Sequence, residues 1–579
     1  MIDIQKEIYS KYPKLKENKL IHASLSKFAK SIIHEDTIND FLNINSHLVG
    51  FEFIDAVLEY FDFDFTVSEN ELENIPSSGR VVIISNHPLG SLDAFVLLKL
   101  IGKIREDVKI VANDFLDSFK ALEPLLITIN NFKNKQTKQS ISNIYESLES
   151  EQALIIFPAG EVSRISPKGV RDTKWQKGFL KFAKRTMSPI LPIYISGKNS
   201  KTFYSVSAIN KKISTILLSH EMFKQKGKSV QIKIGGLIPH TNIHPSALSI
   251  DGVIELYKEQ VYGLKKGKKL FITQKAIAHP ENPRSIKKEL KKSELLGQTK
   301  DGKLIYLYEN TKESIVLKEI GRLREFAFRK VGEGANERRD LDKYDKYYKH
   351  IVLWDENDLE IVGSYRIGEC NNIIKKHEVN GLYNSTLFDF SKDFEELLDD
   401  SIELGRSFVQ PKYWGTRALD YLWYGIGAYL NKNPQIKYMF GPVSLSASYP
   451  KVAKDIIFNF FDSYFADEKN LVKAKLPYNF KSDASLTSML DNELTLDDYK
   501  NDFKTVKKLL KNFDSTIPVL YKQYAELCED GGIKFCAYNV DEDFASCVDS
   551  FIIVDISKIK TSQQERYIST HGNQNDNNL

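Results

Sequence analysis

The chain has 579 residues, and its 81 basic and 77 acidic side chains leave a formal net charge of only +4. With 42% hydrophobic and 27% charged residues it has the composition of a globular protein of several domains, which excludes a disordered or fibrous chain. The balanced charge argues against bulk nucleic-acid binding. The four cysteines include no C-x-x-C pair, which argues against a disulfide scaffold or a structural zinc site and favours a reducing compartment.

Residues 1–75 predict N-terminal amphipathic helices. Apolar side chains recur at helical spacing from Leu25 to Ile32 and again from Phe51 to Phe61. The N-terminus lacks the continuous apolar segment of a secretory signal. Nowhere does the sequence hold the roughly 18 uninterrupted apolar residues of a spanning helix, so we expect no secretory signal and no membrane span.

Residues 76–264 show short apolar runs that alternate with helical patterns. The predicted strands are Arg80–Ser85, Val108–Val111, Ala153–Phe157 and Ile190–Ile195, and the predicted helices lie near Ala94–Ile101, Thr137–Leu148 and Gly178–Arg185. Alternation of this kind predicts an α/β domain with a largely parallel sheet that helices cover on both faces.

Residues 265–299 are basic, contain proline and lack apolar periodicity, which indicates a linker. Two interpretations remain: a solvated run of charge, or a segment attracted to anionic headgroups or an acidic carrier protein.

A second α/β domain is predicted over 300–568, including a strand at Leu404–Val409 and a long helix from Thr416 to Leu430. The Asn-rich residues 569–579 predict a disordered tail.

A histidine and an aspartate flank the end of the first predicted strand. His87 follows the strand in a loop with proline and glycine, at the sheet edge where α/β folds bind ligands. Asp93 opens the next helix as an N-cap and can also reach the imidazole. Orienting His87 in this way would let its other ring nitrogen take a proton from an alcohol. The simpler alternative is an N-cap next to a loop histidine.

Further motifs follow in order. Phe157 to Arg164 forms a second Pro/Gly turn after a strand, Trp175-Gln176-Lys177-Gly178-Phe179 precedes a helix, and Pro189 to Ile193 forms a proline-bearing strand. Together with the His87 box, this set resembles the glycerolipid (lysophospholipid) acyltransferase family over roughly residues 20–262.

The match departs from that family at two points. The first box is His-x5-Asp rather than His-x4-Asp, with Gly90 expected to absorb the extra residue. In the second box Ala159 replaces the usual Glu, and Val162 stands where the family has an Arg thought to meet the acceptor phosphate. Arg164 lies two residues on. These departures point toward a lyso-lipid acceptor other than a glycerol phosphate.

The resemblance implies direct O-acyl transfer without a metal or bound cofactor. His87 would be the base for a lipid hydroxyl and Asp93 its orienting partner, and the donor would be a thioester on acyl carrier protein or coenzyme A. The substrate-binding residues expected here are Asn86, Gly160, Glu161, Ser163 and Arg164.

The second half carries several motifs with charged residues. They are Arg324–Phe326, Asp342 with Asp345, Tyr365-Arg366-Ile367, Glu403-Leu404-Gly405-Arg406 and Gly415-Thr416-Arg417. Glu403 and Arg406 lie three apart on a predicted strand and should point to opposite faces. Asp342 and Asp345 can hold an ammonium or Arg366, or simply form the N-terminal turn of a helix.

This order of motifs looks like the ornithine-lipid N-acyltransferase branch of the GNAT superfamily over about residues 300–568. Such enzymes join a 3-hydroxy fatty acid from acyl carrier protein to the α-amine of an amino acid. Glu403 is then the candidate base or proton relay for the amine. Asp342, Asp345, Arg366 and Arg406 are candidate substrate-binding residues, and the two arginines would position the substrate carboxylate or the fold. A clean coenzyme-A pyrophosphate loop is missing, because Gln410 precedes Gly415 by five residues.

The two halves suggest consecutive steps. The C-terminal domain would make a 3-hydroxyacyl amino acid, from ornithine or glycine, and the N-terminal domain would acylate its free hydroxyl. The expected partners are acyl carrier protein, the membrane surface, the amino acid and the lyso-lipid, without nucleic acid. The expected location is the inner face of the cytoplasmic membrane, as a peripheral protein. Two alternatives remain: a lysophospholipid O-acyltransferase with a degenerate GNAT partner, and a non-catalytic membrane adaptor.

Overall fold

The structure is a computed structural model that describes residues 34–112, 119–128, 134–209, 211–243, 248–310 and 313–568. The chain divides into two compact units, Met1–His279 and Pro280–Leu579. Within the described ranges, no helix is both long enough and apolar enough to cross a membrane. The helix predicted around Leu25–Ile32 and the predicted tail at 569–579 lie outside the described residues.

The first unit alternates strands and helices. Its described helices are α1 Glu35–Ile44, α2 Phe51–Tyr60, α3 Glu69–Leu72, α4 Ser91–Gly102, α5 Asn134–Glu149, α6 Gly178–Arg185, α7 Lys201–Ile209, α8 Lys211–Phe223 and α9 Ile250–Gly263. Its described strands are β1 Asp64–Thr66, β2 Val81–Ser85, β3 Val108–Ala112, β4 Leu126–Thr128, β5 Ala153–Ile156, β6 Arg164–Ser166, β7 Gly169–Arg171, β8 Ile190–Ser196 and β9 Ser229–Ile234.

Seven of these strands form one sheet in the order β1-β9-β8-β2-β5-β3-β4. Every neighbouring pair is parallel except β8 and β9. Alternate residues of β2 enter different hydrophobic clusters: Val81 and Ile83 pack on one face, and Val82 and Ile84 on the other. The sheet is therefore buried on both sides, as the continuous apolar runs predict.

Strand β9, which lies between β1 and β8, was not predicted from the sequence. Exposed and buried residues alternate along it, from Ser229 to Ile234, so it has the two-residue period of a half-buried strand. The central strands β2, β5 and β8 are mutually parallel. Their carboxyl ends therefore meet at one edge of the sheet, where the loops that start at Asn86 and Phe157 begin.

The second unit is built around an eight-stranded sheet with helices on its faces. Its described helices are α10 Pro283–Leu290, α11 Ile315–Lys330, α12 Cys370–His377, α13 Lys392–Glu395, α14 Ala418–Lys432, α15 Lys451–Phe465, α16 Ala484–Glu493, α17 Tyr499–Lys511, α18 Val519–Ala525 and α19 Thr561–Tyr567. Its described strands are β10 Glu294–Gln298, β11 Leu304–Glu309, β12 Lys349–Asp355, β13 Glu360–Glu369, β14 Phe388–Phe390, β15 Ser401–Val409, β16 Tyr438–Leu445, β17 Val472–Ala474, β18 Ile533–Asp541 and β19 Cys547–Asp555.

The order of that sheet is β10-β11-β12-β13-β15-β16-β19-β18. Its strands pair antiparallel except at the centre, where β15 runs parallel to β16 for only three residue pairs, Ser401–Glu403 against Tyr438–Phe440. Beyond Glu403 the two strands separate, although β15 continues to Val409 and β16 to Leu445. The sheet thus opens at its centre. Both units are α/β, which confirms the predicted fold class.

The predicted linker over 265–299 differs from the structure in its second half. Residues 283–298 form α10 and β10, and β10 is the first strand of the second sheet. Asn282 caps α10 by accepting the backbone N–H of Ser285, and Ile286 and Leu290 are buried on the helix's inner side. With only two apolar residues among its eight, α10 has too weak a periodicity to be recognised in the sequence.

Candidate active sites

The carboxyl end of β2 presents His87 beside a buried carboxylate. Nδ1 of His87 lies 3.0 Å from Oδ2 of Asp93, and the imidazole stacks on Phe157 with ring centroids 4.0 Å apart. The His87 side chain keeps 17% of its surface exposed, whereas that of Asp93 has none. His87 is therefore oriented from one side by a carboxylate and supported by an aromatic face, with Nε2 as its second ring nitrogen.

Asp93 sits at the third position of α4, and Gly90 is the N-cap; the prediction that Asp93 itself is the N-cap is wrong by three residues. Its Oδ2 accepts the backbone N–H groups of Leu89 (2.7 Å) and Gly90 (3.1 Å) in addition to His87. Burial raises the pKa of Asp93, and the bond to His87 opposes that shift. Gly90 has φ of +96°, a conformation suited to glycine, which lets the longer loop turn back onto Asp93.

The second loop folds against the first. The backbone N–H of Ser163 donates to the carbonyl oxygen of His87 at 2.7 Å. Asp172 ties the two loops together, because its Oδ1 accepts the Ser163 hydroxyl (2.5 Å) and the His87 N–H (3.2 Å). Its Oδ2 accepts the indole N–H of Trp175 at 2.9 Å. Ser163 is thus placed next to His87 by a carboxylate that sequence reasoning missed.

The remaining residues of the predicted second box lie around Arg164. Its Nη1 donates to the hydroxyls of Ser207 and Ser214, and its Nη2 lies 3.5 Å from Oε2 of Glu161. Oε1 of Glu161 accepts the hydroxyl of Thr173 at 2.7 Å. Gly160 adopts φ of +65° in the turn that leads into this segment. Arg164 is only 8% exposed, so it anchors the rim of the site.

Asn86 occupies a framework position. Its amide nitrogen donates to the carbonyl oxygen of Ile195 at 2.9 Å, and its amide oxygen accepts the Ile195 N–H at 2.8 Å. The side chain is 2% exposed. Because both amide groups bond to β8, Asn86 joins two strands at the sheet edge. Its substrate-binding role stays a prediction.

In the second unit, Asp342 and Asp345 hold arginine. Nη1 of Arg366 donates to both carboxylate oxygens of Asp342 at 2.8 Å and to Oδ1 of Asp345 at 3.2 Å. Arg324 donates to the same Oδ1 of Asp345 at 2.9 Å. The two aspartates also form the capping box of the short 3-10 helix Lys343–Lys346. Of the predicted alternatives, the structure therefore shows both the bond to Arg366 and the N-terminal turn of a helix.

Three members of this ion cluster are fully buried. Arg324, Asp345 and Arg366 are each at most 1% exposed. Burial works against the ionised form of Asp345, but Arg324 and Arg366 outweigh it and hold its pKa below the usual range. Burial and the charge of Arg324 lower the pKa of the neighbouring His350 to about 3, so that imidazole is neutral.

Glu403 is enclosed by donors. Its Oε1 accepts the backbone N–H (2.6 Å) and side-chain amide (2.5 Å) of Asn384, and its Oε2 accepts the Tyr348 hydroxyl and the backbone N–H of Tyr383 (3.1 Å). Burial raises its pKa. Both oxygens are bonded and the residue is 2% exposed, and the role of Glu403 as base or proton relay for the substrate amine stays a prediction.

A β-bulge reverses the expected direction of Arg406. Ser364 pairs with Phe408 and Arg366 with Gly405, so Arg406 and Ser407 together oppose Tyr365. Arg406 has φ of +49°, and its guanidinium lies 4.9 Å from the ring centroid of Tyr383, the residue whose backbone bonds Glu403. The side chains of Glu403 and Arg406 thus lie on the same side of the sheet, whereas a regular strand would place them on opposite faces.

Arg406 is the least satisfied cation of this site. Its closest carboxylates are those of Asp340 at 3.8 Å and Asp342 at 3.7 Å, and its side chain is 13% exposed. Its Nε is buried and donates no hydrogen bond to any residue in the described part of the chain. A buried guanidinium with long ion pairs and an unused donor is suited to a carboxylate ligand.

Several residues that organise the second site were not singled out from the sequence: Tyr348, Tyr383 and Asn384 around Glu403, and Asp549 on β19. Asp549 carried a usable signal, because it is a single carboxylate inside the apolar strand Cys547–Asp555. The described side chains contain no group of three or more His, Cys, Asp or Glu residues that could hold a metal ion.

Comparison with known proteins matches each unit to a family. Residues 10–269 match the family described as Acyltransferase, and residues 323–424 match the Acetyltransferase (GNAT) domain. A glycine N(alpha)-acyltransferase of Phocaeicola vulgatus is 31% identical over 307 residues, which cover 51% of this chain and 93% of that protein. A lyso-glycine lipid O-acyltransferase of Bacteroides thetaiotaomicron is 31% identical over 271 residues, which cover 46% of this chain and 97% of that protein.

An L-ornithine N(alpha)-acyltransferase of Brucella abortus is 28% identical over 263 residues, or 43% of this chain and 80% of that protein. The alignments thus cover 80–97% of the length of these three acyltransferases. The chain belongs to the aminolipid acyltransferase family: it is an acyltransferase with an acyltransferase domain followed by a GNAT domain.

Proposed function

We propose that the chain carries out two consecutive acyl transfers in aminolipid synthesis. The second unit N-acylates an amino acid with a 3-hydroxyacyl group, and the first unit O-acylates the hydroxyl of that product. One observation carries the proposal: two differently named single enzymes, an N-acyltransferase and an O-acyltransferase, are each matched over more than nine-tenths of their length by about half of this chain. A fusion of two enzymes gives matches of that kind.

His87 is the proposed base of the O-acylation. Its Nδ1 bonds Asp93, so Nε2 takes the proton of the acceptor hydroxyl while the oxygen attacks the thioester carbonyl. The Asp93 carboxylate then stabilises the imidazolium, which returns the proton to the leaving thiolate. Asp172 and Ser163 keep the second loop against His87.

Gly160, Glu161 and Arg164 are proposed to shape the acceptor side of the first site. A lyso-aminolipid acceptor carries a carboxylate and no phosphate, which agrees with Val162 in the place where the related family has an arginine. Arg164 is already bonded to Ser207 and Ser214, so it is not a substitute phosphate ligand. This favours an aminolipid acceptor over a glycerol phosphate.

Arg406 is the proposed ligand of the amino-acid carboxylate in the second unit. It lies beside the opening between β15 and β16, where backbone groups of the two strands no longer pair with each other. Two groups of residues are proposed to position Arg406. Glu403 binds Tyr348 and the backbone of Tyr383. Arg366 binds Asp342 and Asp345.

Glycine is the proposed amino acid. The match to a glycine N(alpha)-acyltransferase is longer and more nearly complete than that to an ornithine enzyme. Ornithine would also need a carboxylate for its side-chain ammonium, and the two aspartates predicted for that role are bonded to Arg366 and Arg324. The proposed donor for both steps is acyl carrier protein, with coenzyme A as the alternative thioester.

We also propose peripheral contact with the cytoplasmic face of the membrane, where the product must reside. Ile165, on the hairpin next to Arg164, is 60% exposed, and Ile209 at the end of α7 is 89% exposed. Ser207 of the same helix bonds Arg164, so both apolar side chains belong to the rim of the first site.

The test uses the purified full chain with acyl carrier protein thioesters. The second unit is offered glycine or ornithine with a 3-hydroxyacyl donor, and the first unit is offered synthetic 3-hydroxyacyl-glycine or a lysophosphatidate with a fatty acyl donor. The proposal expects glycine and 3-hydroxyacyl-glycine to be preferred by at least about tenfold. Preference for lysophosphatidate, or no amide formed with either amino acid, would contradict it.

A further inference from the structure

The central opening of the second sheet contains a carboxylate that the mechanism above does not use. Asp549 of β19 pairs with Ser444 of β16, four residues beyond the last residue of β16 that pairs with β15. The residue is 2% exposed. It therefore lies where β15 and β16 have separated, on the strand that flanks the opening.

Only one oxygen of Asp549 is held by the protein. Its Oδ1 accepts the hydroxyl of Ser444 at 2.6 Å and lies 3.8 Å from the thiol of Cys547. Among the residues that the structure describes, none donates a hydrogen bond to Oδ2. Glu403 differs in this respect, because donors from Tyr348, Tyr383 and Asn384 occupy both of its oxygens.

Charged and titratable groups face Asp549 from every neighbouring element. They are Glu333 after α11, Tyr383, Arg406 on β15, Tyr521 on α18, Asp541 on β18 and Cys547 on β19. Burial raises the pKa of Asp549 to about 6; Asp541 adds to the rise, and Ser444 and Arg406 oppose it. A group that titrates near neutrality is suited to accept a proton at physiological pH.

Arg406 places the amine near this carboxylate. The amine and carboxylate of glycine are separated by one carbon, so a glycine bound to Arg406 through its carboxylate carries its amine within a few ångströms of that guanidinium. Asp549 is close enough to Arg406 for the two charges to interact. The carboxylate of Asp541, which raises the pKa of Asp549, adds negative charge to the same region and favours an ammonium there.

We propose that Asp549 is a catalytic residue of the N-acylation, the base that takes a proton from the substrate ammonium through its unoccupied Oδ2. The inference rests on the function proposed above. The ammonium gives one proton to Asp549, and the free amine attacks the thioester carbonyl to form the C–N bond. The C–S bond then breaks, the second proton goes from nitrogen to the leaving thiolate, and Asp549 releases its proton to solvent.

The experiment measures kcat and KM for glycine from pH 5 to 9, using the full chain and a 3-hydroxyacyl carrier protein. We expect kcat of the wild type to fall about tenfold per pH unit below about pH 6. Asp549→Asn should lower kcat at pH 7 by about 100-fold, keep KM within about threefold and lose that acidic limb. Thermal unfolding of the second unit, compared with that of the wild type, checks that the variant is folded, and O-acylation of synthetic 3-hydroxyacyl-glycine by the first unit checks that the amount of active protein is the same.

Two further variants keep the test decisive if Asp549→Asn does not fold. Ser444→Ala removes a bond that lowers the pKa of Asp549, so the acidic limb should move to higher pH. Asp541→Asn removes a charge that raises it, so the limb should move to lower pH. A purely structural role of Asp549 predicts neither shift.

Other outcomes overturn the inference. Asp549→Asn within threefold of the wild type at every pH excludes a base at this position. A higher KM with unchanged kcat means that Asp549 only binds the ammonium. An acidic limb that neither neighbouring variant moves belongs to another group. A wild type that acylates neither glycine nor ornithine overturns the proposed function itself, and the inference with it.

Discussion

Nδ1 of His87 and Oδ2 of Asp93 lie 3.0 Å apart, and that same carboxylate oxygen accepts two backbone N–H groups of the loop between them. Oδ1 of Asp93 is buried and accepts no hydrogen bond from a described residue. Oδ2 thus accepts all three hydrogen bonds. A substitution that keeps an oxygen at this position can therefore remove the negative charge of Asp93 without removing the bonds that hold the loop.

Asp93→Asn should fold and yet lose O-acylation. The amide oxygen can replace Oδ2 and keep all three hydrogen bonds, but no negative charge remains to stabilise the imidazolium. We expect kcat for 3-hydroxyacyl-glycine to fall by about 10²–10⁴-fold, with N-acylation of glycine unchanged. Thermal unfolding should stay near that of the wild type, whereas Asp93→Ala, which loses all three bonds, should unfold earlier. Full activity of Asp93→Asn would exclude an electrostatic role.

Gly441→Ala should disrupt the second site alone. A Cβ at Gly441 would lie 2.0 Å from the carbonyl oxygen of Leu404, so β15 and β16 would have to move apart where their pairing ends. We expect a loss of about 3 kcal/mol in the unfolding free energy of the second unit and loss of N-acylation, with O-acylation intact. Gly405→Ala is the matched control on the adjacent strand, because a Cβ there meets nothing within 4 Å. Equal stability of both variants would contradict the packing.

Arg406→Gln should abolish the preference for a substrate that carries a carboxylate. The wild type is expected to prefer glycine to glycinamide by about 10–100-fold in kcat/KM, since charge-assisted hydrogen bonds contribute about 1.5–3 kcal/mol. The variant should lose most of that preference. Because the same two amines are used with both proteins, comparing the glycine-to-glycinamide ratio of the variant with that of the wild type removes the difference in their intrinsic reactivity. Arg417→Gln, at an arginine whose side chain is 55% exposed, should keep it. An unchanged ratio in Arg406→Gln would place the carboxylate elsewhere.

Glu333→Gln should flatten the pH dependence of stability. Burial and the nearby charge of Asp549 raise the pKa of Glu333 to about 8. Between the ordinary pKa of a glutamate and about pH 8, the Glu333 carboxyl is ionised in the unfolded chain but protonated in the folded one. The contribution of Glu333 to folding stability is therefore complete at low pH and is lost as the pH rises. The thermal midpoint of the second unit should therefore fall less in Glu333→Gln than in the wild type between pH 5 and 8. The exposed Glu395→Gln is the control, and an identical pH slope in Glu333→Gln would refute the shift.

Local patterns predicted the first site better than the second. His87 and the Phe157 loop follow adjacent parallel strands, and such strands bring their carboxyl ends together, so proximity could be deduced from the chain order. Asp172 could not be found in this way. It comes after the short hairpin β6–β7, and no spacing rule connects it to His87.

The second site depends on features that a strand pattern does not encode. The bulge at Arg406 and Ser407 changes which face Arg406 serves, and Glu403 is enclosed by Tyr348 and Asn384, which lie 55 and 19 residues away along the chain. Long-range contacts of this kind appear only once the sheet order is known.

The most direct test of two consecutive transfers is mass spectrometry of the products formed by the full chain from glycine, a 3-hydroxyacyl carrier protein and a fatty acyl carrier protein. The wild type should yield diacylated glycine, His87→Ala should stop at 3-hydroxyacyl-glycine, and Arg406→Gln should yield little of either. Diacylated glycine from His87→Ala at the wild-type rate, or no acyl-glycine from the wild type, would contradict the account.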